Sequence, residues 1–221
     1  MSEAKLPVHG FVLAGGKSSR MGRDKALLEL GGRPMVQIAV EKLQSFCAQV
    51  WIAGNRDDLA SFAKVVREQR MDAGPAAGIE AGLRAAEQPW ALFVPVDVPL
   101  VPVELLRRWA TEVVRDREHG LAVSHLRVGG DQPTFCMLRS ELSRLFSDVL
   151  DSGERKLTQI FHRMEASEGL HRGHDLSELY GDDESPSREE IGRWFLNVNT
   201  PEELLIAEHW MAEAGASADP E

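Results

Sequence analysis

The stretch Leu13-Ala14-Gly15-Gly16-Lys17-Ser18-Ser19-Arg20-Met21-Gly22-Arg23-Asp24-Lys25 joins small residues to cations near the start of the chain. Consecutive small residues let a backbone come close to a ligand, and their exposed N–H groups form a concave anion site. Arg20, Lys25 and Lys17 add positive charge, so the chemistry on offer is the holding of phosphate groups. Two familiar phosphate loops fail on spacing. A GxxxxGK[ST] loop ending at Gly16-Lys17-Ser18 needs a glycine where Phe11 stands, and no GxGxxG exists because the next glycine after Gly16 is Gly22. Ser18 and Ser19 near His9 suggest a nucleophile pair, but serines in a glycine loop more often bond phosphate.

Other residues that could do chemistry are scattered. Asp97 closes the apolar run WALFVPV, where a lone carboxylate is costly to desolvate without a cation. Asn55 and Asp72 follow shorter strand-like runs. Arg155 and Lys156 offer paired positive charge, against which stands the reading of solvated helix charges. Asn197 and Asn199 alternate with Leu196 and Val198, which sends both amides to one side of a strand end. His171 and His174 are three apart in a polar stretch and could seat a metal only with further ligands, none of which the sequence points out.

The elements that must position these residues alternate between strand and helix. Residues 8–14 read as a buried strand. Residues 34–46 read as a helix with Met35, Ala39, Leu43 and Phe46 on one face. A second strand spans 49–53, and a third should precede Asp72, although 65–71 is heavily charged. Helix follows at 75–86, then the most apolar strand at 90–96, buried on both faces. A helix at 102–115 leads to an antiparallel hairpin of 121–128 and 134–138 around Gly129-Gly130-Asp131. Helices at 140–150 and 155–164 come next. Residues 165–192 read as a mobile surface excursion, with a lid over a ligand as the alternative. Strand character resumes at 194–198, and Thr200-Pro201-Glu202-Glu203 opens the last helix with a capping box. One domain is expected over 1–215, with a frayed tail at 216–221.

This alternation predicts an α/β fold, a three-layer Rossmann-like sandwich with a mainly parallel sheet and at least one antiparallel strand. In such sheets ligands bind beyond the carboxyl ends of the strands, which singles out the residues after Ala14, Ala53, Met71 and Val96.

Composition sets the outer limits. The chain has 221 residues, 43% of them apolar, with a formal charge of −10. That apolar content excludes disorder along the whole length. The most apolar stretch, 91–103, is broken by Pro95, Asp97, Pro99 and Pro102, so no membrane span is expected. An acidic chain is a poor general partner for nucleic acid. Cys47 and Cys136 fit neither a disulfide framework nor a metal motif, and the first residues carry no export signal; a cytoplasmic protein is expected.

LAGGKSSRMGRDK resembles the signature loop of nucleotidyltransferases, and in its LAGGxSxRMGxDK form that of the molybdenum cofactor guanylyltransferases. Further similarity runs through Asn55 in AGNR, Asp72 before GPAAGI, Asp97 in VPVDVPLVP, the DQPT turn from Asp131, Gly153-Glu154-Arg155 and FLNVNTPEEL from Phe195. The resemblance implies transfer of GMP from GTP to molybdenum-molybdopterin with release of pyrophosphate. It implies Mg²⁺ on Asp97, catalytic Arg20 and Lys25, and nucleotide contacts from Leu13, Ala14, Gly15, Gly16, Lys25, Asn55, Asp72 and Asp97. Arg155, Lys156, Asn197 and Asn199 are then candidates for the acceptor side. Other proteins of cofactor biosynthesis and molybdoenzymes would be partners. The alternatives are a transferase using CTP on the same cofactor, one acting on a sugar phosphate, or a non-catalytic module that delivers the cofactor.

Overall fold

Most strands form from apolar runs and most helices from amphipathic ones. The computed structural model describes residues 4–15, 24–116, 120–168, 170–180 and 185–217. The strands are β1 (Leu6–Leu13), β2 (Glu29–Leu30), β3 (Arg33–Pro34), β4 (Cys47–Ala53), β5 (Lys64–Val66), β6 (Trp90–Pro95), β7 (Leu121–Arg127), β8 (Asp131–Arg139) and β9 (Leu170–Asp175). The helices are α1 (Met35–Gln44), α2 (Pro75–Ala85), α3 (Val103–Arg115), α4 (Ser143–Asp151), α5 (Leu157–Glu168), α6 (Leu176–Leu179), α7 (Arg188–Trp194) and α8 (Pro201–Ser217).

Seven strands form one sheet in the order β5-β4-β1-β6-β8-β7-β9, and β2 with β3 makes a separate ribbon. Parallel pairing joins β5, β4, β1 and β6, while β8 runs against both β6 and β7. Residues of α1 and α3 pack on one face with Val12, Leu92 and Val94. Residues of α2, α4 and α5 pack on the other with Phe11, Phe93 and Leu138. This is the expected three-layer sandwich, mostly parallel, and the hairpin supplies the antiparallel strand.

Gly82 shows how closely the layers meet. A Cβ there would enter the space of the Phe93 ring and stand 3.1 Å from Phe11. Overpacking of this kind costs about 1–3 kcal/mol. With two aromatic rings struck, that outweighs the gain of about 1 kcal/mol in helix propensity. Gly82→Ala should therefore lower Tm in calorimetry; an unchanged Tm would mean that α2 lifts away without resistance.

Three expectations need correction. The third strand is short and ends at Val66, its one buried residue, because Arg67 to Arg70 are too polar to continue inward. Residues 194–198 form no strand. Trp194 ends α7, and only the Val198 N–H keeps a sheet-like bond, to the Asp97 carbonyl at 2.8 Å. The stretch 165–192 contains β9, which pairs in parallel with β7. Its sequence LHRGHD hides this from hydrophobic patterning, because its buried histidine has a polar partner. His174 Nδ1 meets the Ser124 hydroxyl at 2.9 Å, and that oxygen also accepts from Trp109 Nε1 at 2.9 Å.

Candidate active site

The strands of the parallel block all end on one edge. There the Ala14 N–H donates to the Ala53 carbonyl at 3.0 Å and the Val96 N–H to the Leu13 carbonyl at 3.1 Å. These bonds carry the ladder past the strand ends and bring Leu13, Ala14 and Gly15 beside Asp97, two residues beyond β6. Gly16, Lys17, Ser18, Ser19 and Arg20 lie outside the described residues.

Lys25 comes back to this edge on a short 3₁₀ turn. The Asp24 side chain caps the turn by accepting from the Ala26 N–H at 3.0 Å, and Arg56, just after β4, is ion-paired to Asp24. So held, the Lys25 ammonium stands 3.7 Å from Asp97 Oδ2 and donates to Asn199 Oδ1. Asn197, with its amide turned to suit its neighbours, donates to Asp97 Oδ2 at 3.2 Å and Oδ1 at 3.3 Å. Asn199 is fixed in turn by Glu203. That carboxylate accepts from the N–H groups of Asn199 (2.6 Å) and Thr200 (2.9 Å), while the Thr200 hydroxyl accepts from the Glu203 N–H at 3.2 Å. The expected capping box is present and reaches one residue further, to the asparagine.

Burial pushes the Asp97 carboxyl above the usual carboxylate range, and the Lys25 charge pulls partly against it. A desolvated carboxylate with one ammonium and one amide for company can take up more positive charge. A carboxylate is the hard-oxygen donor that suits Mg²⁺ together with phosphate and water. The following loop is braced from below. Lys42 donates to the carbonyls of Pro99 and Val101, and burial lowers its pKa to about 8.

Lys25, Asp97, Asn197 and Asn199 thus converge. Four other sequence candidates, Asn55, Asp72, Arg155 and Lys156, do not join them. Asn55 is exposed beyond β4. Asp72 is exposed too, at φ 57°, six residues past the end of β5 rather than at a strand end. Arg155 is used at the α4–α5 corner, donating to the Leu150 and Glu154 carbonyls at 2.6 and 2.8 Å. Lys156 is exposed at the same corner. Asp151 at the end of α4 bonds Arg70, just past β5, at 2.7 Å, which keeps that corner on the carboxyl edge.

Glu68 was passed over in the sequence because its charged surroundings count only against a strand. It occupies the space that a Cβ on Gly15 would need, and it stands 3.3 Å from where one on Gly78 would be. Among the described residues it has no hydrogen-bond or ion-pair partner, and burial raises its pKa. Arg56 and Glu203 were missed for another reason. Each acts on a site residue only through the fold, so the one available signal was the capping-box spacing of Glu203.

The chain is similar to known proteins in both sequence and fold. Residues 10–168 match the family described as the MobA-like NTP transferase domain. A protein of Polynucleobacter asymbioticus named molybdenum cofactor guanylyltransferase is 31% identical over 91% of this chain and 96% of its own length. One of the same name from Vibrio parahaemolyticus is 34% identical over 87% of this chain and 91% of its own. Among solved structures, molybdopterin-guanine dinucleotide biosynthesis protein A of Archaeoglobus fulgidus superposes with a TM-score of 0.70. It covers 93% of this chain and 99% of its own at 20% identity, a likeness of fold.

Proposed function

Since the chain belongs to the MobA-like NTP transferases, and within them to the molybdenum cofactor guanylyltransferases, we propose that it transfers GMP from GTP to the phosphate of molybdenum-molybdopterin. The products are the guanine dinucleotide form of the cofactor and pyrophosphate. The observation that carries the reading is the convergence of Lys25 and Asn197 on Asp97, with Asn199 bonded to Lys25, at the carboxyl edge of the parallel strands.

In this reaction an acceptor phosphate oxygen bonds to the α-phosphorus of GTP as the bond to the departing pyrophosphate breaks. The protein positions the two in line and neutralises the charge that builds on phosphoryl oxygens. Asp97 would hold Mg²⁺, and the ion would supply Lewis-acid charge to those oxygens. Lys25 and Arg20 bring fixed positive charge to the same phosphates, and Leu13, Ala14, Gly15 and Gly16 bring backbone contact. Asn199, held by Glu203, orients Lys25. Asn55 and Asp72 contact base or ribose from the rim, and Arg155 and Lys156 meet the acceptor phosphate from the α4–α5 corner. Partners are the two small substrates and the proteins that make or receive the cofactor. Among the described residues no helix is long and apolar enough to cross a membrane; we place the enzyme in the cytoplasm.

Glu68 reads the base. A carboxylate accepts from the N1–H and amino group of guanine together, an edge cytosine does not present. Glu68→Gln, losing the charge and one acceptor, should raise KM for GTP about tenfold with kcat little changed. Inosine triphosphate, which lacks the amino group, should lose less. Equal loss for both nucleotides would remove Glu68 from the base site.

Pyrophosphate release with molybdopterin and each nucleoside triphosphate tests the whole assignment. Equal turnover with CTP would overturn the guanine choice. GTP binding without pyrophosphate release, whatever the acceptor, would leave the delivery module.

A further inference from the structure

We infer that His162, Glu165 and His171 form a site for one divalent transition-metal ion of zinc's class, separate from the Asp97 centre. His162 and Glu165 lie one turn apart on α5, and β9 brings His171 against them. His162 Nδ1 is 3.6 Å and His171 Nδ1 3.9 Å from the same oxygen, Glu165 Oε2. The three ligand atoms all lie within 4.8 Å of one another. Around a tetrahedral zinc with bonds of about 2.0–2.1 Å, neighbouring donors stand roughly 3.4 Å apart. Small side-chain adjustments close that gap.

A chain of hydrogen bonds orients the buried ligand. A carboxylate at Asp131 can only accept, so the proton of its bond to His125 is on His125 Nε2, 3.0 Å from Asp131 Oδ1. In the neutral imidazole the other nitrogen, His125 Nδ1, is then an acceptor, and it takes the Nε2–H of His171 at 2.9 Å. His171 Nδ1 is left with its lone pair directed at Glu165. The His171 side chain is 8% exposed. A lone pair thus faces a carboxylate oxygen at 3.9 Å, two acceptors with no proton between them. A cation completes such a pair.

Metal-binding imidazoles donate their other N–H to an acceptor in just this way, which fixes the tautomer. Two imidazoles and one carboxylate suit zinc, cobalt or nickel better than magnesium. His162 is 63% exposed, which gives the ion an entry path and leaves a fourth position for water. The bound ion would tie α5 to the edge strand β9. His174 takes no part, because residues three apart on a strand point to opposite faces.

The test uses the full chain, free of any tag and stripped with a chelator. Titration with Zn²⁺ should give one ion per chain, and Co²⁺ should give the visible absorption bands of a tetrahedral site. His162→Gln, an exposed change that leaves the core alone, and Glu165→Gln should each weaken Zn²⁺ binding at least tenfold. Zn²⁺ should raise Tm of the parent but not of His162→Gln. His209→Gln and Asp97→Asn should bind Zn²⁺ as the parent does. Binding well below one ion per chain, unchanged affinity in His162→Gln, loss of the ion in Asp97→Asn, or equal competition by Mg²⁺ would each overturn the assignment.

Discussion

Replacing Asp97 with alanine or asparagine should cut turnover at least about 1,000-fold, or about 4 kcal/mol of transition-state stabilisation, and leave the fold intact. Turnover is lost because Asp97 is the carboxylate on which Lys25 and Asn197 converge. The fold survives because burial already disfavours that charge. The folded pKa is raised, so the folded protein binds more protons than the unfolded one as pH rises through the carboxylate range. Any stability this group contributes is present at low pH and is lost as pH rises through the raised value. Asp97→Asn should therefore be at least as stable as the parent at neutral pH, with its advantage shrinking in acid. Pyrophosphate release and pH-dependent thermal unfolding measure the two effects. Activity within tenfold of the parent would place the metal elsewhere. A large loss of stability at neutral pH would show that Asp97 holds the loop together.

What the sequence made legible is what a strand end can explain by itself. The glycine loop follows a run apolar enough to be a buried strand, and Asp97 follows the most apolar run in the chain. A ligand edge could thus be named before any contact was known. Asn197 and Asn199 were found through an alternation that assumed a strand. No strand forms there, yet both side chains reach the site. The single Val198 N–H bond to Asp97 gives this segment the local geometry of a strand without a ladder.

The illegible parts depended on long-range partners. The Lys25–Asn199 bond spans 174 positions, and no local pattern encodes it. β9 was taken for surface because His171 and His174 count as polar. One ring nitrogen of each bonds a neighbour on a different element, His125 for one and Ser124 for the other. Glu68 was discounted for a related reason. Charge spoils a strand prediction, but just past a strand end a carboxylate can stand at the ligand edge, as Glu68 does beside Gly15.

Lys25→Met should lower turnover about 100-fold, the usual loss when one preorganised charge-stabilising donor is removed. Methionine keeps most of the aliphatic stem and so isolates the ammonium. Several residues hold that ammonium in place before any substrate arrives: Asp24 caps its turn, Arg56 ties down Asp24, and Asn199 accepts from it. Little reorganisation is then left for the transition state, and the loss should fall on kcat more than on KM. The supporting residues give a graded control. Glu203→Gln keeps an acceptor near the Asn199 and Thr200 N–H groups but weakens its hold, so it should lose roughly tenfold or less. If Lys25→Met changes only KM, the ammonium binds ground-state phosphate and does no more. If the rate is unchanged while Asp97→Asn is dead, Lys25 serves only to balance the Asp97 charge, and the transition-state cation must come from Arg20.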